Sequence, residues 1–323
     1  MKPTSNPIAI GIIAGLAAAI LMAGAGYISL FSILLMIAAI AAIFVAGMGF
    51  GAVSAVLAVI VASVASAALA GKPVAFVAMA VQLSPAVVMS YLANLARPAD
   101  ELGGPKAAMA WFPLSDIMLA GAVVSAIATS GVLLLHPDLE AAYGMLADLV
   151  LQLATQTNPE VAFDVTREEL LRYLEVLFPL TQGWQMMMAL FGGFYFAMRM
   201  LSAAKRNIRP REDIPASLRM NRLSIAIFLA GLALMFAGDK IEVIGASFVG
   251  AIAGGYLLAG YAIVHNMLRG KSYRLPALIL VYLVSMIVWP LALIIFLAGG
   301  LANPRRAIAL TPHASNENSE TQN

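Results

Sequence analysis

The residues best suited to chemistry in this chain are uncharged amides and hydroxyls that fall inside long apolar stretches. They form two groups, on the fourth and sixth such stretches: Gln82, Ser84, Tyr91, Asn94, Gln182 and Gln185. Polar groups at membrane depth are costly and are kept where they bind a ligand or pair with another helix. We expect either a polar ligand-binding pocket near the outer leaflet or interhelical hydrogen bonding, and both interpretations stay open.

A proline adds to the first group. Pro85 frees a backbone carbonyl near Val81, which can bind a ligand or accept a hydrogen bond from Ser84. Asp116 opens the fifth apolar stretch, where an acid in the first turn is typical of an interfacial helix cap.

Catalytic and metal chemistry finds no support in the sequence. The chain has no cysteine, which excludes thiol catalysis and cysteine-ligated metal. Its three histidines, His136, His265 and His313, are far apart and have no acidic partner at ligand spacing. The sequence has neither a nucleophile elbow nor a phosphate-binding loop. We therefore expect no enzyme activity, no metal and no cofactor.

The composition is typical of an integral membrane protein. Hydrophobic residues make up 62% of 323 positions, charged residues 11%, and the mean hydropathy is +0.90. A soluble domain needs about 25% charged residues, so a lipid exterior is the simpler explanation. We predict an all-α fold, a polytopic transmembrane helix bundle with about eight or nine spans. The apolar stretches are 8–25, 29–46, 49–70, 74–95, 115–135, 177–201, 223–238, 243–268 and 275–297.

Loop charges predict the orientation in a bacterial cytoplasmic (inner) membrane. Residues 202–222 are strongly basic and are predicted to be cytoplasmic, whereas residues 137–176 are acidic and are predicted to lie outside. The N-terminus then lies in the cytoplasm. We treat 1–302 as one transmembrane domain and 303–323 as a polar tail that we expect to be disordered. The basic clusters orient the chain, and no nucleic-acid partner is expected.

The ninth stretch allows two locations for this tail, outside the membrane or in the cytoplasm. A single crossing places Arg305 and Arg306 outside, against the positive-inside rule. Trp289 and Pro290 could instead divide the stretch into a re-entrant pair, which returns the tail to the cytoplasm.

The outer segment at 137–176 is predicted to be an amphipathic helical insertion. Leu139, Tyr143, Leu146, Val150 and Leu153 follow helical spacing. A capping box at residues 166–169 then opens a second helix, which ends before Pro179. These helices could lie on the membrane surface, cap the bundle, or form a lid over a substrate entrance.

Small residues four positions apart mark close helix contacts. The first stretch has Gly11, Gly15, Ala19 and Ala23, and the eighth has Gly250 and Gly254. Such stripes favour packing inside the bundle or docking onto another membrane protein. The basic loop residues Lys205, Arg206, Arg209 and Arg211 are a second candidate docking surface.

The final third resembles a known family. The segments GGYLLAGYAIVH at 254–265 and GGLANPRR at 299–306 resemble the closing pattern of the YybS-like bacterial membrane proteins, a family of unknown function. Asn303 stands where the pattern has an aspartate, and Pro304 shortens the usual linker. The resemblance implies an architecture similar to the substrate-binding components of energy-coupling-factor transporters. It also implies a docking role for the stripe on the first stretch.

Two functions are consistent with these patterns. The first is a non-catalytic component of small-solute uptake, with a pocket between the fourth and sixth stretches and a transporter ATPase module, or another membrane protein, as partner. The alternative is a membrane scaffold or envelope-biogenesis factor that acts through protein contacts. An intramembrane enzyme is a weaker third hypothesis, because the sequence has no catalytic constellation.

Overall fold

The computed structural model describes residues 6–27, 31–70, 74–106, 108–135, 139–157, 165–206, 208–302, 304 and 308–312. His136, His313, residues 137–138 and 158–164 of the predicted insertion, and residues 303, 305–307 and 313–323 of the predicted tail lie outside them.

The described chain is a bundle of apolar helices with one small sheet. The helices are α1 Pro7–Tyr27, α2 Ser32–Phe50, α3 Ala52–Ala70, α4 Val74–Ala93, α5 Leu114–Leu135, α6 Leu139–Thr157, α7 Arg167–Ala203, α8 Ile214–Ser217, α9 Leu223–Met235, α10 Asp239–Met267, α11 Arg274–Ile287 and α12 Trp289–Leu301. The antiparallel sheet has the order β1 Ala96–Pro98, β2 Ala108–Trp111, β3 Leu310–Pro312.

Seven helices of the described residues are long and apolar enough to cross a membrane: α1 to α5, α7 and α10. This confirms the prediction of an all-α polytopic bundle. The two other predicted spans are shorter than the roughly 20 residues that a crossing requires. The seventh stretch forms α9, with 13 residues, and the ninth is divided into α11 and α12, with 14 and 13. The division falls at Trp289-Pro290, as in the re-entrant alternative.

The second helix of the predicted insertion is continuous with the sixth span. Thr166 caps α7, and the predicted capping box with Glu169 is confirmed. We expected this helix to end before Pro179, but α7 runs on through it for 37 residues. A helix of this length extends about 55 Å, so its first turns project beyond the roughly 30 Å hydrocarbon layer. The hydroxyl of Thr181 donates to the Phe178 carbonyl at 2.9 Å and satisfies one acceptor beside the proline.

Glycines bring the helix backbones into contact. A Cβ at Gly15 would lie 2.5 Å from the Ala58 carbonyl oxygen, and one at Gly11 would lie 2.9 Å from that of Ser54. The stripe on α1 therefore packs on α3, inside this chain. On that stripe Ala19 is 1% exposed, and Ala23 is half-buried.

The same kind of contact joins α7 and α10. A Cβ at Gly250 would overlap the carbonyl oxygen of Leu180, and one at Gly254 would lie 3.0 Å from Met187 Cβ. The stripe on α10 is matched by Gly183 on α7, whose Cβ would lie 2.6 Å from the Ser247 carbonyl oxygen. In lipid, such close approach supplies the van der Waals contact that holds helices together.

The loops rich in basic residues lie together at one end of the bundle. Arg209, in the loop after α7, donates to the carbonyls of Ala93 at 3.3 Å and Phe112 at 2.7 Å, on either side of the α4–α5 loop. Arg269, after α10, makes two hydrogen bonds of 2.5 and 2.6 Å to Asp213, which hold the pKa of that carboxyl below its usual value. The loops at 94–113, 204–222 and 268–273 therefore share one face, as the positive-inside rule requires. We name it the basic face.

Part of the tail that we expected to be disordered is an ordered strand on this face. β3 pairs with β2, and the Trp111 indole donates to the Thr311 hydroxyl at 2.8 Å. Disorder was expected because the tail is polar, but Leu310-Thr311-Pro312 supplies backbone groups that complete the open edge of β2. The tail thus returns to the side of the α4–α5 loop.

We expect the substitution Gly250→Ala to destabilise the protein by about 1–3 kcal/mol, because the new methyl group must separate α7 from α10. The matched control is Gly131→Ala, since a Cβ at Gly131 meets nothing within 4 Å. Thermal unfolding in one detergent measures both variants. Equal melting temperatures would contradict the close α7–α10 contact.

The absence of native cysteines makes single-cysteine labelling a clean test of topology. We expect a membrane-impermeant maleimide to label Glu168→Cys in intact cells. It should label Glu101→Cys, Lys271→Cys and Ile308→Cys only after permeabilisation, because all three lie on the basic face. Labelling of Ile308→Cys in intact cells would show that the ninth stretch crosses the membrane.

Candidate ligand-binding cavity

A cavity of about 260 Å³ lies between α4, α5 and α7, away from the basic face. Its polar lining comes from Gln82 of α4, Ser125 and Thr129 of α5, and Gln182 of α7. The remaining lining residues are apolar: Val81, Ala128, Val132, Leu133, Phe178 and Met186. We refer to this space as the amide cavity.

The cavity exists because α4 and α5 diverge along their length. Towards the basic face they touch, since a Cβ at Gly121 would lie 2.5 Å from Met89 Sδ. Ten residues further along α5, Gly131 meets nothing within 4 Å. Ser125 and Thr129 lie four residues apart on α5, so they share the face that borders the opening.

A second space continues from the first. A groove of about 720 Å³ between α4 and α5 is lined by Ala75, Val77, Val81, Ser84, Val124, Ile127, Ala128, Gly131, Val132 and Leu135. It shares Val81, Ala128 and Val132 with the amide cavity, so the two spaces adjoin at these residues. We call it the α4–α5 groove.

The predicted insertion packs against one wall of the amide cavity. The Tyr143 ring of α6 meets the Phe178 ring edge-on, with centroids 5.7 Å apart. An ion pair between Arg167 and Asp148, at 2.7 Å, fixes α6 on the start of α7 and lowers the pKa of the Asp148 carboxyl. This ion pair is exposed, so water screens it and it contributes little to stability. The insertion therefore packs on α7 beside the cavity.

The electrostatics of the cavity are those of a neutral binding site. The described lining residues include no acid and no base. Next to Phe178 in the cavity wall, burial and the nearby Glu175 carboxylate raise the pKa of Tyr143 to about 12, so this phenol stays protonated at neutral pH. Amides and hydroxyls can donate and accept hydrogen bonds, which suits an uncharged polar group.

The six predicted ligand-binding residues occupy different places. Gln82 and Gln182 line the amide cavity, and Gln82 also donates to Met36 Sδ at 3.5 Å. Ser84 lines the α4–α5 groove. Tyr91 is 53% exposed on the outside of α4, and Gln185 is exposed on α7. Asn94 lies near the basic face, bonded to Gly47.

The carbonyl freed by Pro85 has an internal partner. The Ser84 hydroxyl donates to the Val81 carbonyl at 2.9 Å. Of the two uses predicted for this carbonyl, satisfaction by Ser84 is the one that the structure has. The groove beside it is therefore apolar in character, although Ser84 contributes to its lining.

The basic loop residues predicted for docking are partly used within the chain. Arg209 is 5% exposed, forms an ion pair with Glu212 and donates to the carbonyls of Phe112 at 2.7 Å and Ala93 at 3.3 Å. Arg206 lies 5.0 Å from the centroid of the Phe50 ring. Lys205 and Arg211 are exposed on the basic face.

Two hydroxyls of the amide cavity were missed at the level of sequence. Ser125 donates to the Gly121 carbonyl at 2.7 Å, which satisfies its proton and leaves its oxygen able to accept. The signal for Ser125 and Thr129 was their i, i+4 spacing on an apolar helix, the same criterion that drew attention to the small-residue stripes.

Among the described residues no cluster of acids and histidines could hold a metal ion.

Comparison with known families gives one match. Residues 16–301 match the family described as Predicted membrane protein (DUF2232). The chain belongs to this family. The match covers most of the sequence and confirms the resemblance to the YybS-like membrane proteins of unknown function. No curated protein and no solved structure matches the chain.

The contacts of Arg209 predict that its replacement lowers the stability of the protein strongly. We expect Arg209→Ala to destabilise the protein by about 3–5 kcal/mol, because it leaves the carboxylate of Glu212 buried without its cation. Arg211→Ala removes an equal charge at an exposed site and should change stability by less than about 0.5 kcal/mol. Thermal unfolding in detergent measures both.

The double variant Arg209→Met with Glu212→Leu separates buried charge from general packing. It removes both ions and should recover most of the stability lost in Arg209→Ala. If Arg209→Ala is no less stable than Arg211→Ala, this buried pair does not hold the loop to α4 and α5.

Proposed function

We propose that this protein binds a small uncharged solute in the amide cavity, as a non-catalytic component of solute uptake. The observation that carries the proposal is the convergence of Gln82 and Gln182 on one cavity, although they are 100 positions apart in sequence. Their amides and the hydroxyls of Ser125 and Thr129 give donors and acceptors on three helices. In a low-dielectric setting such groups favour a ligand that matches them.

The size and position of the cavity support the same proposal. Small-molecule sites are concave, mostly apolar and equipped with a few convergent polar groups, and the amide cavity together with the α4–α5 groove fits that description. Phe178, on which Tyr143 of α6 packs, marks the side of the cavity from which an uptake component would receive solute. The energy for uptake would come from a partner, for which the expected class is a transporter ATPase module.

The basic face is the surface that we propose for this partner. Lys205 and Arg211 are exposed there, and a cytoplasmic ATPase module would reach the protein from that side. The stripe on α1 is less suited to docking, since Gly11 and Gly15 already contact α3.

The test compares three glutamines. Purification in mild detergent and mass spectrometry measure the amount of small molecule retained per protein. We expect Gln82→Ala and Gln182→Ala each to weaken retention roughly 2- to 12-fold, as expected for one lost hydrogen bond. Gln185→Ala is the control, since this glutamine is exposed on the same helix as Gln182.

If all three variants retain the same amount of the same molecule, the amide cavity is not the binding site. If wild-type protein carries no solute and co-purifies with envelope-biogenesis machinery, the scaffold function replaces the proposed one.

A further inference from the structure

The α4–α5 groove adds a property that a site for a water-soluble solute does not need. It is larger than the amide cavity and adjoins it at Val81, Ala128 and Val132. Ser84 has the one side-chain hydroxyl among its described lining residues, and that hydroxyl donates to the Val81 carbonyl. The groove thus presents hydrocarbon to whatever fills it.

The groove is open towards the bilayer. Val77 and Ile127 on its rim are 51% and 58% exposed, and Leu135 at its end is 81% exposed. Both α4 and α5 are apolar spanning helices, so this opening lies at membrane depth. Only a group that already resides in the bilayer can reach it from the side.

The groove is closed at the other end. Contact between Gly121 and Met89 brings α4 and α5 together towards the basic face, whereas the space at Gly131 is open. A chain in the groove would therefore lie in the half of the bundle away from the basic face. Its end next to Val81 and Ala128 borders the side chains of Gln82 and Gln182.

We infer that the ligand is a neutral amphiphile, with an uncharged hydrogen-bonding head group in the amide cavity and a hydrocarbon chain in the α4–α5 groove. This inference rests on the proposed function and names the ligand class for the same site. The absence of charged residues from the described lining of both spaces disfavours an anionic or cationic head, which would be buried without a counter-ion.

The head group must supply the selectivity. Bilayer chains are as apolar as the groove, so burial of the chain there gains little over the surrounding lipid. Hydrogen bonds to the two amides distinguish a neutral polar head from an apolar one. Lateral access from the bilayer gives such a ligand a route to the cavity that does not pass α6.

The experiment uses two photoactivatable probes in nanodiscs that hold the full chain. One is a monoacylglycerol with a diazirine on its acyl chain, and the other is a fatty acid with the same chain. We expect the monoacylglycerol to label α4 and α5 in preference to the fatty acid. Peptide mapping by mass spectrometry locates the labels.

Two variants test the two parts of the site. Gly131→Leu should reduce this labelling to background, because Gly131 lines the groove and a Cβ there meets nothing within 4 Å, so the added side chain occupies the groove. Its control, Ala68→Leu, also introduces a leucine, at an exposed position of α3, and should leave the labelling unchanged. Gln82→Ala combined with Gln182→Ala should remove the preference for the monoacylglycerol, with a loss of at least roughly twofold.

Equal labelling by both probes in the wild type would overturn the inference, because it would mean that any bilayer chain fills the groove. Absence of labelling on α4 and α5 would overturn it as well. If a water-soluble molecule is retained in a Gln82-dependent manner and Gly131→Leu has no effect on it, the ligand class is wrong while the proposed function stands. If neither probe labelling nor solute retention depends on Gln82 and Gln182, both the ligand class and the proposed function are wrong.

Discussion

The structure depends on how closely its helix backbones can approach one another. Lipid offers no hydrophobic gain for helix association, so contact between backbones must supply the stability. Glycine provides that contact where α1 meets α3 at Gly15 and where α10 meets α7 at Gly250. The same rule locates the cavity. α4 and α5 touch at Gly121, but no neighbour reaches Gly131, and the space between them opens.

A buried polar cluster on the basic face complements these contacts. Arg209 joins Glu212 to the end of α4 and the start of α5 through the carbonyls of Ala93 and Phe112. Asp116, in the first turn of α5 as expected for a cap, also accepts a hydrogen bond from Asn221 at 2.5 Å. Basic residues that orient the chain by their charge therefore also fix the loops to the bundle. The helices are held together at this face, and their separation at the other end leaves room for a ligand.

Much of the architecture could be predicted from sequence, because hydropathy and small-residue spacing are local signals. Hydropathy predicted the apolar helices, and the residue types at 166–169 predicted the capping box at Thr166. The continuity of α7 through Pro179 could not be predicted, since a proline stops most helices unless tertiary contacts support the turn. It could not be predicted either which glutamine of α7 lines the cavity with Gln82, because the choice between Gln182 and Gln185 depends on the rotation of α7 about its axis. Strand β3 required knowledge of an open edge 200 residues away, at Trp111.

The central claim is that α4 and α5 separate to enclose a ligand beside α7. An experimental density map of the full chain in lipid nanodiscs, without added ligand, tests it most directly. We predict an elongated density between α4 and α5 near Gly131 that ends within hydrogen-bonding distance of the amides of Gln82 and Gln182. The account would be contradicted by a map in which α4 and α5 stay packed from Gly121 to Gly131 and these two amides bond only to each other.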